Sequence, residues 1–140
     1  MKIKLITYIF LLIFLSSCAE KSACEKFKKG DFYEIVLGNE NINKKVTRID
    51  NSEISLLVKR NGKTVESTKD YKIIEWINEC DYILKIDESK MEMDESMREI
   101  NRNGGILCEF EFESDNYLHY KCTSKLDNYE SSWNQKIRTE

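Results

Sequence analysis

From Asp31 to the C-terminus the chain alternates apolar and polar residues in short runs, and no proline interrupts them. Alternation of period two sends successive side chains to opposite faces of a strand, so each run can bury one face and wet the other. The candidate strands are Asp31–Leu37, Lys44–Asp50, Glu53–Arg60, Lys63–Ile77, Cys80–Asp87, Ile106–Glu113, Tyr117–Lys125 and Ser131–Arg138. Between them lie turn-forming pairs and clusters, among them Asn51-Ser52, Asn61-Gly62, Asn78-Glu79, Ser114-Asp115-Asn116 and Asp127-Asn128. Asn61-Gly62 is the sharpest of these, because a type I′ hairpin needs two residues that accept positive φ. Short strands joined in sequence by tight turns predict an all-β fold, a single antiparallel meander of about eight strands closing into a small barrel or half-barrel.

One helix is expected to interrupt the meander near residues 90–102. Ser89-Lys90-Met91-Glu92 fits a capping box, in which the serine oxygen and the glutamate satisfy exposed amides at the helix start. Met93, Met97 and Ile100 then fall on one stripe, and Gly104-Gly105 can supply a left-handed stop. Packing on the sheet, as a lid or brace, is the expected role of the two methionines.

The N-terminus carries a different pattern. Lys2 and Lys4 precede an apolar run from Leu5 to Leu15, and the sequence then reads Leu15-Ser16-Ser17-Cys18. Eleven residues of helix span roughly 16 Å, short of the roughly 20 residues that a bilayer core requires. A basic start, a short apolar middle and small residues at the end are the parts of a secretory signal. L-S-S-C resembles the lipobox of bacterial lipoproteins. That resemblance implies a signal peptide over residues 1–17, a diacylglyceryl and fatty-acyl (palmitate) modification at Cys18, and attachment to the membrane through that lipid. Ala19, where a retention aspartate would stand, implies the outer membrane. Residues 18–29 read as the lipidated N-terminus and a short tether, and residues 30–140 as the β-meander domain.

Export sets the redox environment of the remaining Cys24, Cys80, Cys108 and Cys122, in which disulfides persist. Four cysteines allow three connectivities. The hairpin around Asp115 discriminates among them. Cys108, Phe110 and Phe112 share one strand face, and Leu118, Tyr120 and Cys122 share one face of the next. A three-residue loop, Ser114 to Asn116, brings these faces together and sets Phe112 opposite Leu118, Phe110 opposite Tyr120 and Cys108 opposite Cys122. The other side then pairs Glu109 with Lys121 and Glu111 with His119. A slip of one residue would send the two apolar sets to opposite faces. Cys108–Cys122 is therefore the expected bridge, and Cys24–Cys80 follows by elimination. A metal site is disfavoured, since zinc sites bring cysteines two to four residues apart and no such pair occurs.

Without residues 1–17 the chain keeps 20 basic and 25 acidic side chains, about −5 in net charge. A nucleic-acid partner is not expected of so acidic a chain, because phosphates call for a basic face. No cofactor motif occurs. His119 is the one histidine, and neither G-x-S-x-G nor another nucleophile motif accompanies it. The acidic set Asp87, Glu88, Glu92, Asp94, Glu95 and Glu99 lacks the D-x-D-x-D-G loop of a calcium site and reads as a solvated helix face. Trp76, Trp133, Tyr33, Tyr71 and Tyr82 are expected mainly in packing, with a ligand pocket or interface as the alternative.

Gly30-Asp31-Phe32 and Thr68-Lys69-Asp70-Tyr71 resemble lipocalin landmarks, with no tryptophan after the glycine and with Lys69 inserted into the second motif. That resemblance implies a barrel only. F-K-K-G-D-F at Phe27–Phe32 and W-I-N-E-C-D-Y-I-L at Trp76–Leu84 are similar to small envelope lipoproteins of the Bacteroidota, a resemblance that implies the envelope address and carries over no particular activity. The expected function is a non-enzymatic, lipid-anchored binding module of the cell envelope, its partner a protein such as an envelope hydrolase. An accessory subunit of an envelope complex and a lipocalin-like carrier of a small apolar ligand are the alternatives. A closed barrel with a sizeable apolar cavity would favour the carrier, and a filled barrel with one exposed aromatic patch would favour a protein partner.

Overall fold

The computed structural model of the chain describes residues 23–36, 38, 41–65 and 68–139. The signal segment and Cys18 lie outside the described residues. Eight strands follow one another in space as they do in sequence and close into an antiparallel barrel. They are β1 (Gly30–Ile35), β2 (Ile42–Ile49), β3 (Ser52–Lys59), β4 (Asp70–Trp76), β5 (Tyr82–Ile86), β6 (Ile106–Ser114), β7 (Tyr117–Leu126) and β8 (Tyr129–Thr139). Closure comes from β1 and β8, with Phe32 opposite Thr139, Tyr33 opposite Arg138 and Glu34 opposite Ile137. A closed sheet leaves no unpaired edge.

The turns sort the barrel into two ends. The β2–β3, β4–β5 and β6–β7 turns and the incoming N-terminus share one end, here the tether end. The other three hairpin connections and helix α1 (Glu95–Arg102) lie at the far end. A 3-10 turn at Glu25–Phe27 plugs the tether end: Phe27 is buried, and its ring lies 5.2 Å from that of Phe32. Cys24 bonds to Cys80 in the β4–β5 turn, and Cys108 bonds to Cys122 across β6 and β7, as the sequence reading expects.

Three details of the reading are corrected. First, the β6–β7 loop has two residues, not three. Asp115 and Asn116 take φ of 51° and 66°, the left-handed pair of a type I′ turn. The expected register holds from Ile106 to Phe110, then shifts at a bulge, so that Phe112 faces His119 and Glu113 faces Leu118. One extra residue, Glu111, absorbs the mismatch, and Phe112 turns to the outer wall, where it is exposed. Second, β4 starts at Asp70 rather than Lys63. Lys63–Val65 folds back on β3 instead, Val58 bridging Thr64, and only Gly62 of the Asn61-Gly62 pair has positive φ. Third, α1 begins at Glu95, not near residue 90. Asp94 is its N-cap, accepting the Met97 amide at 2.8 Å, while Ser89 donates its N–H and O–H to Asp87. Two asparagines fasten the helix to the far rim: Asn101 bonds both backbone groups of Ile86, and Asn103 and Arg102 reach Asp127. Met93, Met97 and Ile100 are half-buried, so α1 is a brace.

Candidate functional site

The barrel lumen is filled by side chains of two kinds. On the β5–β8 side stand Tyr82, Leu84, the Cys108–Cys122 bridge, Leu118, Tyr120 and Ile137, all buried in one cluster. Their aromatic members meet edge to face, Tyr82 on Tyr120 at 5.2 Å and Phe110 on Tyr120 at 5.8 Å. On the β1–β4 side the inward positions include Glu34, Lys44, Arg48, Glu53, Ser55 and Lys72, a charged column that would be costly if unpaired.

It is paired. The Arg48 guanidinium is fully buried and all three of its nitrogens donate: Nε to Glu53 Oε2 at 3.0 Å, Nη1 to the Phe27 carbonyl at 3.1 Å and Nη2 to the Tyr82 hydroxyl at 2.9 Å. The Tyr82 hydroxyl in turn donates to Gln135 Oε1 at 3.1 Å. Trp76 and Phe32 place ring faces 5.7 Å and 5.9 Å from the guanidinium carbon. Toward the far end Lys72 donates to Ser55 Oγ at 3.1 Å and stands 3.8 Å from Glu53 Oε1, and Lys44 donates to Glu34 at 2.6 Å. Side-chain exposure rises along this column, from 0% at Arg48 and 1% at Glu53 to 11% at Lys72 and 22% at Lys44. The column ends at a cleft of about 140 Å³ lined by Lys44, Leu56, Leu57, Thr68 and Asp70.

The charges follow from this geometry. Burial alone would raise Glu53, but Arg48, Lys72 and Lys44 overcome it and hold the carboxyl below its ordinary value. Burial would lower Lys44, and Glu34 and Glu53 reverse that, leaving it raised. Lys72 is lowered, by burial first and then by its neighbour Lys44. Burial pushes Tyr82 up to about 12 against the pull of Arg48. The column is thus an internal ion-pair network, with its donors already committed at the buried end.

The outer wall differs. Tyr33, Ile35, Asn43, Tyr117 and Arg138 project from β1, β2, β7 and β8, since Arg138 faces both Tyr33 and Tyr117 in register and Asn43 faces Ile35. Ile35, Asn43, Tyr117 and Arg138 line a cleft of about 250 Å³ with Arg60, and Arg60 also lines a second cleft, of about 560 Å³, with Asn41, Ile42, Lys59 and Asn61. A 2.9 Å bond from the Arg60 amide to the Asn41 carbonyl sets the strand end between the two clefts. Arg138 lies over the Tyr33 ring at 5.9 Å. Lys59, Arg60 and Arg138 form no ion pair among the described residues, and no acidic side chain is among the described lining of either cleft. This groove has no signature in the sequence: its cations come from β3 and β8, far apart in the chain, and only barrel closure joins them.

The other sequence candidates separate. Tyr82 is core, Trp76 and Trp133 pack against the core, and Tyr33 and Tyr71 stand on the outer wall. His119 is paired not with Glu111 but with Ser114, Nε2 to Oγ at 2.8 Å, and Phe112 stacks on its ring at 4.2 Å. No carboxylate orients this imidazole among the described residues, so the Ser114–His119 pair lacks the third group of a triad and serves to pin the hairpin. The acidic set is dispersed: Asp87 caps Ser89, Asp94 caps α1, and Glu95 and Glu99 pair with Arg98 and Arg102. No group of three or more metal-ligating side chains occurs among the described residues.

The chain matches no protein-family model, and neither a curated protein nor a solved structure aligns with it.

Proposed function

We propose that this protein is a lipid-anchored binding module of the cell envelope, tethered through Cys18 and recognising its partner with its outer surface. The observation that carries the reading is the filled lumen. Phe27, Phe32, Arg48, Tyr82, Tyr120 and the Cys108–Cys122 bridge occupy the space in which a carrier would hold an apolar ligand. Recognition then falls to the wall and the far end. The Cys24–Cys80 bridge supports this geometry: five residues lie between Cys18 and Cys24, a reach of at most about 20 Å, so a lipid on Cys18 holds the tether end against the bilayer. Helix α1 and the turn at Lys59–Lys63 then face away from it. Two acyl chains make such attachment effectively stable.

The test is capture from detergent-solubilised envelope with the full-length protein, beside intact mass analysis of the mature form. The expected result is a mass bearing acyl chains on Cys18 and a retained envelope partner, with release of the domain or an uncleaved precursor in Cys18→Ala. A mature protein without lipid, or turnover of an envelope substrate abolished by a single side-chain change, would reject the reading.

A further inference from the structure

Resting on the proposed binding role, we infer that the groove centred on Arg60 and Arg138 binds an anionic glycan, a polysaccharide whose sugars carry carboxylates. The first support is charge. Lys59, Arg60 and Arg138 stand unpaired among the described residues on a chain whose net charge is −3 overall, and the described lining of both clefts is free of carboxylates. An unpaired arginine offers a planar fork that matches a carboxylate with two parallel hydrogen bonds. The second support is the company these cations keep. Asn43 presents a side-chain amide, which both donates to and accepts from hydroxyls, Asn61 offers its amide donor while its oxygen holds the Lys63 N–H, and Tyr117 presents an amphipathic ring beside half-buried Ile35 and Ile42. Amides, a flat ring and spaced arginines suit a chain of hydroxylated rings bearing periodic carboxylates.

The shape agrees. Two clefts joined at Arg60 make a track along the wall rather than a closed pocket, which suits a polymer passing through. Each cation also makes a counterion-release contribution, so binding will weaken steeply with salt. The same track is independent of the internal column, whose Arg48 and Glu53 are committed to one another.

The experiment is titration calorimetry of the mature protein in detergent micelles with oligogalacturonate. A neutral oligosaccharide of equal length, polyglutamate and polyphosphate serve as controls. The expected result is binding of the uronate oligomer at low salt and none of the neutral one. Arg60→Gln and Arg138→Gln should each weaken it about tenfold and each reduce the salt slope by about one, with the thermal midpoint unchanged because both side chains lie on the wall. Equal uronate affinity in the double variant overturns the proposal, as does tighter binding of polyglutamate or polyphosphate. Should the uronate arm fail while an envelope protein is still captured, the glycan inference falls and the binding-module reading stands.

Discussion

The two halves of the barrel lumen solve the same packing problem by opposite chemistry. On the β5–β8 side, aromatic rings, leucine, isoleucine and a disulfide fill the space, and their stability rests on buried apolar area and a cross-link. On the β1–β4 side, Arg48, Glu53, Lys72, Lys44 and Glu34 share the space with Phe32, Val46 and Ile74, and the charged part is stable only where each charge finds its partner. The first half should therefore tolerate a lost group in proportion to its size. The second should respond to the loss of one partner far more than to the loss of both.

The largest expected effect tests that asymmetry. Arg48→Met leaves Glu53 buried without its guanidinium and should cost about 3–5 kcal/mol, read by denaturant unfolding. Arg48→Met combined with Glu53→Leu should cost less than the single change, because the charge that then loses its counter-ion, Lys72, keeps its bond to Ser55 and is more exposed than Glu53. A double variant no better than the single would break the comparison. Next come the cross-links. Replacing both cysteines of the Cys108–Cys122 pair, 14 residues apart, should cost about 3 kcal/mol, and the Cys24–Cys80 pair, 56 apart, about 4 kcal/mol on the chain-entropy account. A reversed order would show that the apolar half depends on its bridge for packing as well as for closure.

The pH response separates the halves without mutation. Glu53 is held below its ordinary carboxyl value, so its contribution is fully present above about pH 4.5 and is lost as pH falls through the lowered value. Lys72 is lowered too, so the unfolded chain holds its proton longer, and stability rises with pH between the folded value and 10.5. Thermal midpoints from pH 3 to 10 should show both slopes, and Glu53→Leu in the Arg48→Met background should shrink the acid limb to the part that Asp87 and Asp127, held low by their Ser89 and Asn103 hydrogen bonds, still contribute. The smallest effect concerns the hairpin: Phe112→Ala should cost about 0.5–1.5 kcal/mol through its stacking on His119, since Phe112 is already exposed. A cost beyond that range would mean that the bulge at Glu111 depends on the ring.

The halves also differ in how far the sequence disclosed them. In β6 and β7 the even-numbered apolar residues up to Phe110 and from Leu118 onward do face inward, which is why alternation alone placed Cys108 beside Cys122. In β3 the same rule misleads. Ile54 and Leu56 look like the buried set, yet Glu53 and Ser55 point inward and are almost fully buried. The reason is the neighbour: Arg48 on β2 and Lys72 on β4 stand where they can neutralise Glu53, and neither is adjacent to it in the chain. The Arg60–Arg138 groove escaped for a similar reason, its parts lying on strands that meet only when β1 pairs with β8.

The sequence by itself determined the strand number, the meander order, both disulfides and one rim helix. Each depends on a local period, on turn chemistry, or on a hairpin whose partner strands are consecutive, except the Cys24–Cys80 bridge, which follows from the other by elimination. Tertiary structure alone decided that the barrel closes, which residues of β2–β4 form the charged interior, and which cations stand unpaired on the wall. Those outcomes depend on the energy of bringing distant charges and strand edges together, and a pattern of period two carries no record of it.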